Sequence, residues 1–259
     1  MQIHEITKAI EQYAPCGWAS SYDNVGLMLG DSSREVNEVL LTLDVDLEVA
    51  MEAKALGAEL IISHHPLIFN PVKRITAESP EGKCLLFLAE NKIAVYSAHT
   101  NLDSAPGGLN DLAAQFLGLR DTKPLETEEG PGIGRIGDLQ VTVPLEVLAA
   151  EVKRIYRLPA IRFIGKAQKT VKRVALCTGS GGDLAALASE KGADVYITGD
   201  IKYNVARDAA AAGLSVIELG HYESEYIVVD LLEKIITDYA GIRIPLHKSR
   251  ANKNVFTTI

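Results

Sequence analysis

The sequence predicts an α/β fold, with two related α/β subdomains in a pseudo-twofold arrangement around a cleft at the strand ends. Three observations lead there. Short β-branched runs alternate with amphipathic stretches in βαβ order. One such unit recurs later in the chain without a gap. Polar residues capable of chemistry gather just after the strands, at the edge where open α/β sheets bind ligands.

In chain order, helical apolar spacing covers His4 to Tyr13, and a Gly-rich passage, SSYDNVGLMLGDSS, follows. Glu38 to Leu43 reads as a strand, Leu47 to Leu56 as an amphipathic helix and Leu60 to Ser63 as a second strand. A helix is expected from Gly82 to Asn91, then a strand from Ile93 to Ala98. Residues 122–137, TKPLETEEGPGIGRIG, are rich in Pro, Gly and acid and read as a linker. Residues 1–121 then form a first α/β half, completed by the C-terminal segment, and residues 138–259 a second. The second half is expected to contain a helix near Leu145 to Tyr156 and a strand at Val171 to Cys177. A helix at Asp183 to Lys191 and a strand at Val195 to Thr198 follow. A helix from Tyr203 to Ala212, a strand at SVIEL and a final helix from Tyr226 to Tyr239 complete it.

The halves can be superposed as text. VLLTLDVDLEVAMEAKALGAELIIS from Val39 matches VALCTGSGGDLAALASEKGADVYIT from Val174, pairing Gly57 with Gly192, Glu59 with Asp194 and Ser63 with Thr198. A second register lays VYSAHTNLD on IELGHYESE, placing His99 on His221 and Asp103 on Glu225. Each half thus has a strand followed by His-x-x-x-carboxylate.

Composition excludes several classes. With 47% hydrophobic and 23% charged residues and no apolar run near the ~18 residues of a membrane span, the chain reads as globular. Its start lacks the apolar block of a secretory signal, so a cytoplasmic protein is expected. The three cysteines, Cys16, Cys84 and Cys177, suggest neither disulfides nor a thiolate zinc site. A net charge of -8 repels a phosphate backbone, which makes nucleic acid a poor partner.

Four of the six histidines, His64, His65, His99 and His221, follow predicted strands, and Asp103 and Glu225 lie four residues beyond a histidine. Imidazole with carboxylate suits zinc, manganese, iron, cobalt or nickel, so the cleft reads as a metal cleft. His4 and His247 read as hydrogen-bonded residues outside it. Neighbours in a strand point to opposite faces, so His64 and His65 can reach one cleft only where the strand stops. Pro66 ends it there, and two cations side by side account for the pair.

The stretches SYDNVGLMLGD, IISHHPLIF, YSAHTNLDSAPGGLNDLAA, YITGDIKYN and ELGHYESE resemble, in order and spacing, the motifs of the Nif-three-like dinuclear-metal family, the GTP cyclohydrolase type-two homologues that include YbgI. The resemblance spans nearly the whole chain. It implies two divalent metal ions per chain: His64 and His65 would each hold one, Asp103 would complete the first site, His221 the second, and Glu225 would bridge both, with His99 close by. It also implies a homo-oligomer, a toroidal homohexamer, and the short form without an inserted middle domain. Where the family often has Trp before DNVGL, this chain has Tyr22.

A bridged cation pair suits hydrolysis, with a nucleotide or another small phosphorylated or cyclic amide as substrate. His99 fits a catalytic acid-base role, and a third-ligand role equally. Asp200 reads either as an acceptor orienting a ligand histidine or as a helix N-cap. The turn CTGSGGD could hold a phosphate or be a tight βα turn. The alternative to a hydrolase is a metal-loaded oligomeric scaffold or regulator without catalysis.

Overall fold

A computed structural model describes residues 1–258. The chain opens with α1 (Ile3–Tyr13), β1 (Gly26–Leu29) and β2 (Val39–Thr42). Next come α2 (Leu47–Leu56), β3 (Leu60–Ser63), α3 (Pro80–Glu90), β4 (Ala94–Ser97) and the short α4 (Thr100–Ser104). Then follow α5 (Leu109–Phe116), β5 (Arg120–Pro124), β6 (Arg135–Pro144), α6 (Leu145–Ile155), β7 (Arg162–Ile164) and β8 (Thr170–Cys177). A 3-10 turn (Gly181–Leu184) leads into α7 (Ala185–Glu190), β9 (Val195–Thr198), α8 (Tyr203–Ala211), β10 (Ser215–Glu218) and α9 (His221–Glu225). The chain closes with α10 (Val228–Lys234), a π-helical turn (Ile235–Tyr239) and β11 (Leu246–Lys248).

Packing divides these elements into two units, Met1–Leu102 with Val228–Lys253, and Asp103–Ile227 with the residues from Asn254 onward. Unit 1 holds a five-stranded sheet ordered β1-β4-β3-β2-β11, in which only β1 runs antiparallel to its neighbour. Unit 2 holds a six-stranded sheet ordered β5-β6-β8-β9-β10-β7, with β8, β9 and β10 parallel and β5, β6 and β7 antiparallel.

Local chemistry sets the boundaries. Asp46 caps α2, its Oδ1 accepting from Val49 N at 2.8 Å, and Gly57 ends the helix at φ 74°, a left-handed conformation that favours glycine. In unit 2 both sheet faces are covered. Val174, Leu176, Val195, Ile197 and Ile217 pack with α6 on one side, while Ala175, Cys177, Tyr196 and Val216 pack with α7 and α8 on the other. That double burial explains why these strands read as unbroken apolar runs. In unit 1, Leu40, Ile61 and Val95, from adjacent strands, pack against Val49, Ala50 and Ala53 of α2 and Cys84 and Leu88 of α3. Among the described residues no helix is long and apolar enough to cross a membrane, and the three cysteines are free thiols.

The stretch at residues 122–137 differs from the expected linker. β5 and the start of β6 fall on it and pair with each other inside unit 2. Arg135, near its end, is buried, donating to both carboxylate oxygens of Asp111 (2.6 and 2.9 Å) and to the carbonyls of Ala105, Gly132 and Gly134. The Pro and Gly content marks the turn between two strands. The chain changes unit elsewhere, inside α4 between Leu102 and Asp103 and again between Ile227 and Val228. The expected helix at Asp183–Lys191 begins as the 3-10 turn, because Gly181 and Gly182 sit against Cys177, Tyr196 and the Asp200 carbonyl where a Cβ would collide.

The internal repeat is present in atomic detail. β2 and β3 pair Val39 with Leu60 through Thr42 with Ser63, and β8 and β9 pair Val174 with Val195 through Cys177 with Thr198, the same register. Gly57 and Gly192 end the equivalent helices at φ 74° and 77°. Glu59 accepts from the backbone N–H of Asn37 (2.9 Å) and Glu38 (3.1 Å), and its counterpart Asp194 accepts from Lys172 and Arg173, both at 2.8 Å. The next strand pair drifts by one residue: Ser97 stands opposite Ser63 and Glu218 opposite Thr198, so the second half carries one more residue before its histidine. That residue is Gly220, at φ 98°.

Candidate functional site

In unit 1 the two residues after β3 and the second residue after β4 supply three imidazoles. One nitrogen each from His64, His65 and His99 lies within 4.8 Å of the other two. Their ring centroids are 5.2 to 5.6 Å apart. Each ring is anchored through Nδ1. His64 bonds the Ala98 carbonyl at 2.8 Å, His65 the Asp44 carboxylate at 2.6 Å and His99 the Asp23 carboxylate at 2.9 Å. Anchoring by a carbonyl or carboxylate fixes the ring and tautomer, as it does for metal-binding histidines. His64 is fully buried.

Asp23 is the most heavily used of these acceptors. Besides His99 it accepts from Thr100 N at 3.1 Å and from the Thr100 hydroxyl. Burial raises its pKa, but the hydrogen bonds from His99 and Thr100 outweigh that and bring it down to about 2. These bonds favour the ionised form of Asp23.

In unit 2, α9 places His221 and Glu225 one turn apart, with Nε2 and Oε2 at 3.0 Å. His221 Nδ1 bonds Asp200 Oδ2 at 2.7 Å. The hydrogen bond to Glu225 pushes the imidazole pKa up to about 9 against the effect of burial, and Asp200 adds to it. Glu225 and Asp103 are both buried in this unit. Both charges reach the enclosed Cys177 thiol, which burial first and these carboxylates next drive well above its ordinary pKa. Asp103 is tied locally, its carbonyl accepting from Asn110 Nδ2 at 3.2 Å, while Asn110 Oδ1 accepts from Thr178 N at 3.0 Å.

Glycines make room for α9. A Cβ on Gly179 would lie 1.9 Å from Glu225 Oε1, and one on Gly199 would lie 2.7 Å from Ser224 Oγ and 3.0 Å from His221 Cα. Gly179 N donates to Ser224 Oγ at 2.8 Å. The CTGSGGD turn is thus filled by its own neighbours.

Each expected site residue has a defined place: His64, His65 and His99 cluster in unit 1, His221 pairs with Glu225 in unit 2, and Asp103 begins unit 2. Asp200 is an acceptor for a histidine. His247 lies on β11, its Nε2 2.7 Å from Glu38 Oε2, and His4 Nδ1 lies 3.3 Å from the Ser32 carbonyl, both outside the cluster. Asp23 and Asp44 were not singled out from the sequence. Asp44 follows β2 in the first half where Gly179 follows β8 in the second, a difference visible in the repeat itself.

The family model Duf34/NIF3 (NGG1p interacting factor 3) matches residues 1–254. The chain is 40% identical to the GTP cyclohydrolase 1 type 2 homolog of Lactococcus lactis, over the full length of both. It is 37% identical to that of Clostridium perfringens, over 91% of each. Among solved structures it is similar to a Bacillus cereus protein related to NIF3, with a TM-score of 0.92 and 28% identity over 100% of this chain and 99% of that one.

Proposed function

We propose a function from one premise: the chain belongs to the DUF34/NIF3 family. It is a dinuclear divalent-metal protein and a metal-dependent hydrolase of a nucleotide or another small phosphorylated or cyclic amide substrate. The anchored histidine cluster carries this reading, because His64 and His65, fixed through Nδ1 with their other nitrogens close together, suit cation binding, and His99 stands beside them. His64, His65, Asp103, His221 and Glu225 would hold the ions, Glu225 bridging them.

The chemistry follows from the residues. When bound, a cation pair supplies Lewis acidity and lowers the pKa of water from 15.7 towards about 7. His99, held by the Asp23 carboxylate, moves the proton. Asp44 and Asp200 keep His65 and His221 in place. His221 Nε2 and Glu225 Oε2 lie 3.0 Å apart, close enough that both could serve one cation. The family resemblance supports a homo-oligomer, a toroidal hexamer, and the sequence reading a cytoplasmic setting.

Elemental analysis of protein purified without chelator should find about two transition metals per chain, and one or none after loading would refute the dinuclear reading. Glu225→Ala should lose both ions. His99→Ala should retain both and lose about 10² to 10⁴ in turnover in a screen of nucleotides, phosphoesters and cyclic amides. A fall in metal content would make His99 a ligand. Light scattering at micromolar concentration should find no monomer.

A further inference from the structure

We infer that Asn252, in the segment that follows β11, is a positioning residue for the metal site of unit 1. It holds the Asp44 carboxylate against His65, so that docking of residues 249–252 and cation binding at His65 favour one another. This rests on the metal reading above and names a regulation of that same site.

The two carboxylate anchors of unit 1 are held differently. The Asp23 side chain is 0% exposed, and Thr100 gives it two hydrogen bonds besides that of His99. The Asp44 side chain is 45% exposed. Thr42 Oγ1 donates to the Asp44 carbonyl at 2.8 Å, but that bond acts on the backbone. For His65 to be oriented it is the carboxylate that must stay in place. A half-exposed carboxylate has solvent to turn into, and each oxygen held by a donor narrows that rotation. Asp44 Oδ1 lies 2.6 Å from His65 Nδ1, and Oδ2 accepts from Asn252 Nδ2 at 3.2 Å. Only the NH₂ end of an amide is favourable against a carboxylate, so the same bond settles which way the buried Asn252 faces.

Asn252 is itself placed by a knot around Glu52 of α2. Ser249 N carries the pairing of β11 with β2 one residue further, donating to the Leu41 carbonyl at 2.9 Å. Glu52 accepts from Ser249 Oγ at 2.5 Å, from Arg250 N at 2.8 Å and from Ala251 N at 3.2 Å. Ser249 Oγ in turn accepts from Asn252 N at 3.1 Å. Three successive amides thus close on one carboxylate and its hydroxyl partner, and the turn delivers the Asn252 side chain to Asp44. A cation on the other nitrogen of His65 favours the oriented ring. The oriented ring depends on Asp44, and Asp44 has the Asn252 bond only while the segment is docked. Such coupling is reciprocal: the factor that docking adds to cation affinity is the factor that the cation adds to docking.

Magnetic resonance on the full-length, nitrogen-15-labelled protein tests this, with zinc as the probe. In the metal-free wild type the His65 imidazole should be held as the Nδ1–H tautomer. Asn252→Leu, which keeps side-chain volume but has no donor, should mix the two tautomers. In titrations followed through the His64 and His65 resonances, Asn252→Leu should weaken zinc binding at His65 by about three- to thirtyfold and leave His64 unchanged. Glu52→Gln, which loosens the segment, should weaken the His65 position in the same direction. Zinc should slow amide hydrogen exchange at Arg250, Ala251 and Asn252 of the wild type by a similar factor. With Asp44→Ala in place, Asn252→Leu should have no further effect on zinc affinity. Wild-type tautomer and zinc affinity in Asn252→Leu would overturn the proposal, since the side chain would then only fill space. So would equal weakening at both histidines, exchange of the three amides that ignores zinc, or losses that multiply in the double variant. If the wild type binds no zinc while Asn252→Leu still mixes the His65 tautomers, the positioning of His65 stands and the metal reading falls.

Discussion

The two βαβ cores, β2 to β4 in unit 1 and β8 to β10 in unit 2, share strand register, left-handed helix stop and carboxylate-to-backbone knot, yet they differ at the strand ends. After β3 stand His64 and His65; at the equivalent positions after β9 stand Gly199 and Asp200. After β2 stands Asp44, the anchor of His65, and after β8 stands Gly179, the space for Glu225. One half projects donors from the strand end itself. The other clears its strand ends so that a following helix can bring them in. The scaffold is common property, and the chemistry depends on side-chain size at a few positions beyond it.

Filling the cleared space should have the largest effect. Gly179→Ala puts a methyl on the Glu225 carboxylate at a residue with φ 62°, so metal content should fall below one ion per chain by elemental analysis. Retention of two ions at wild-type affinity would mean that the clearance is incidental.

The anchors come next. Asp44→Asn and Asp200→Asn should each lower metal affinity about 10- to 100-fold in chelator competition, the first at the ion on His65 and the second at that on His221. Identical effects on both ions would break the pairing of one anchor with one cation.

The shared knot should give matched, smaller effects. Glu59→Gln and Asp194→Asn should each cost roughly 1 to 2 kcal/mol in urea unfolding, as charge-assisted bonds to two backbone donors are lost. For Glu59 the contribution depends on pH. Burial raises its pKa, but the bonds from Asn37 and Glu38 prevail and hold it below the usual value. Its stabilisation is therefore full above the unfolded value near pH 4.3 and is lost as pH falls through the lower folded value. A Glu59→Gln penalty that persisted unchanged in strong acid would contradict this. Smallest and most symmetric are Gly57→Ala and Gly192→Ala, each costing about 1 kcal/mol for forcing a Cβ into the left-handed region with nothing nearby to strike.

Much of this was legible in the sequence because it is written in short-range patterns. Leu47–Leu56, Leu60–Ser63 and Val195–Thr198 fall where periodicity and Gly stops place them. The gapless match from Val39 to Val174 exposed the duplicated core. What escaped depends on distant pairing. β11 is a strand because Leu246 to Lys248 pair with β2, and β5 is a strand because β6 lies beside it, although Arg120 to Pro124 are mostly exposed and carry no apolar alternation. The expected linker failed for the same reason, since Pro and Gly mark a turn whether it joins two strands or two units. The histidines that cluster could be named from their place after strands. Asp23 and Asp44 could not, as a carboxylate in a loop shows its purpose only when the ring it holds is seen.

The pairing of β11 with β2 also bears on how the molecule is made. His247 meets Glu38 across 209 positions of sequence, with the central body of unit 2 between them. On the ribosome the outer edge of β2 thus stays uncovered while that body is synthesised, and exposed strand edges recruit other chains. Domains generally fold as units as they emerge. The part begun first is the last to close, and a chain arrested before Leu246 presents β2 as an open edge.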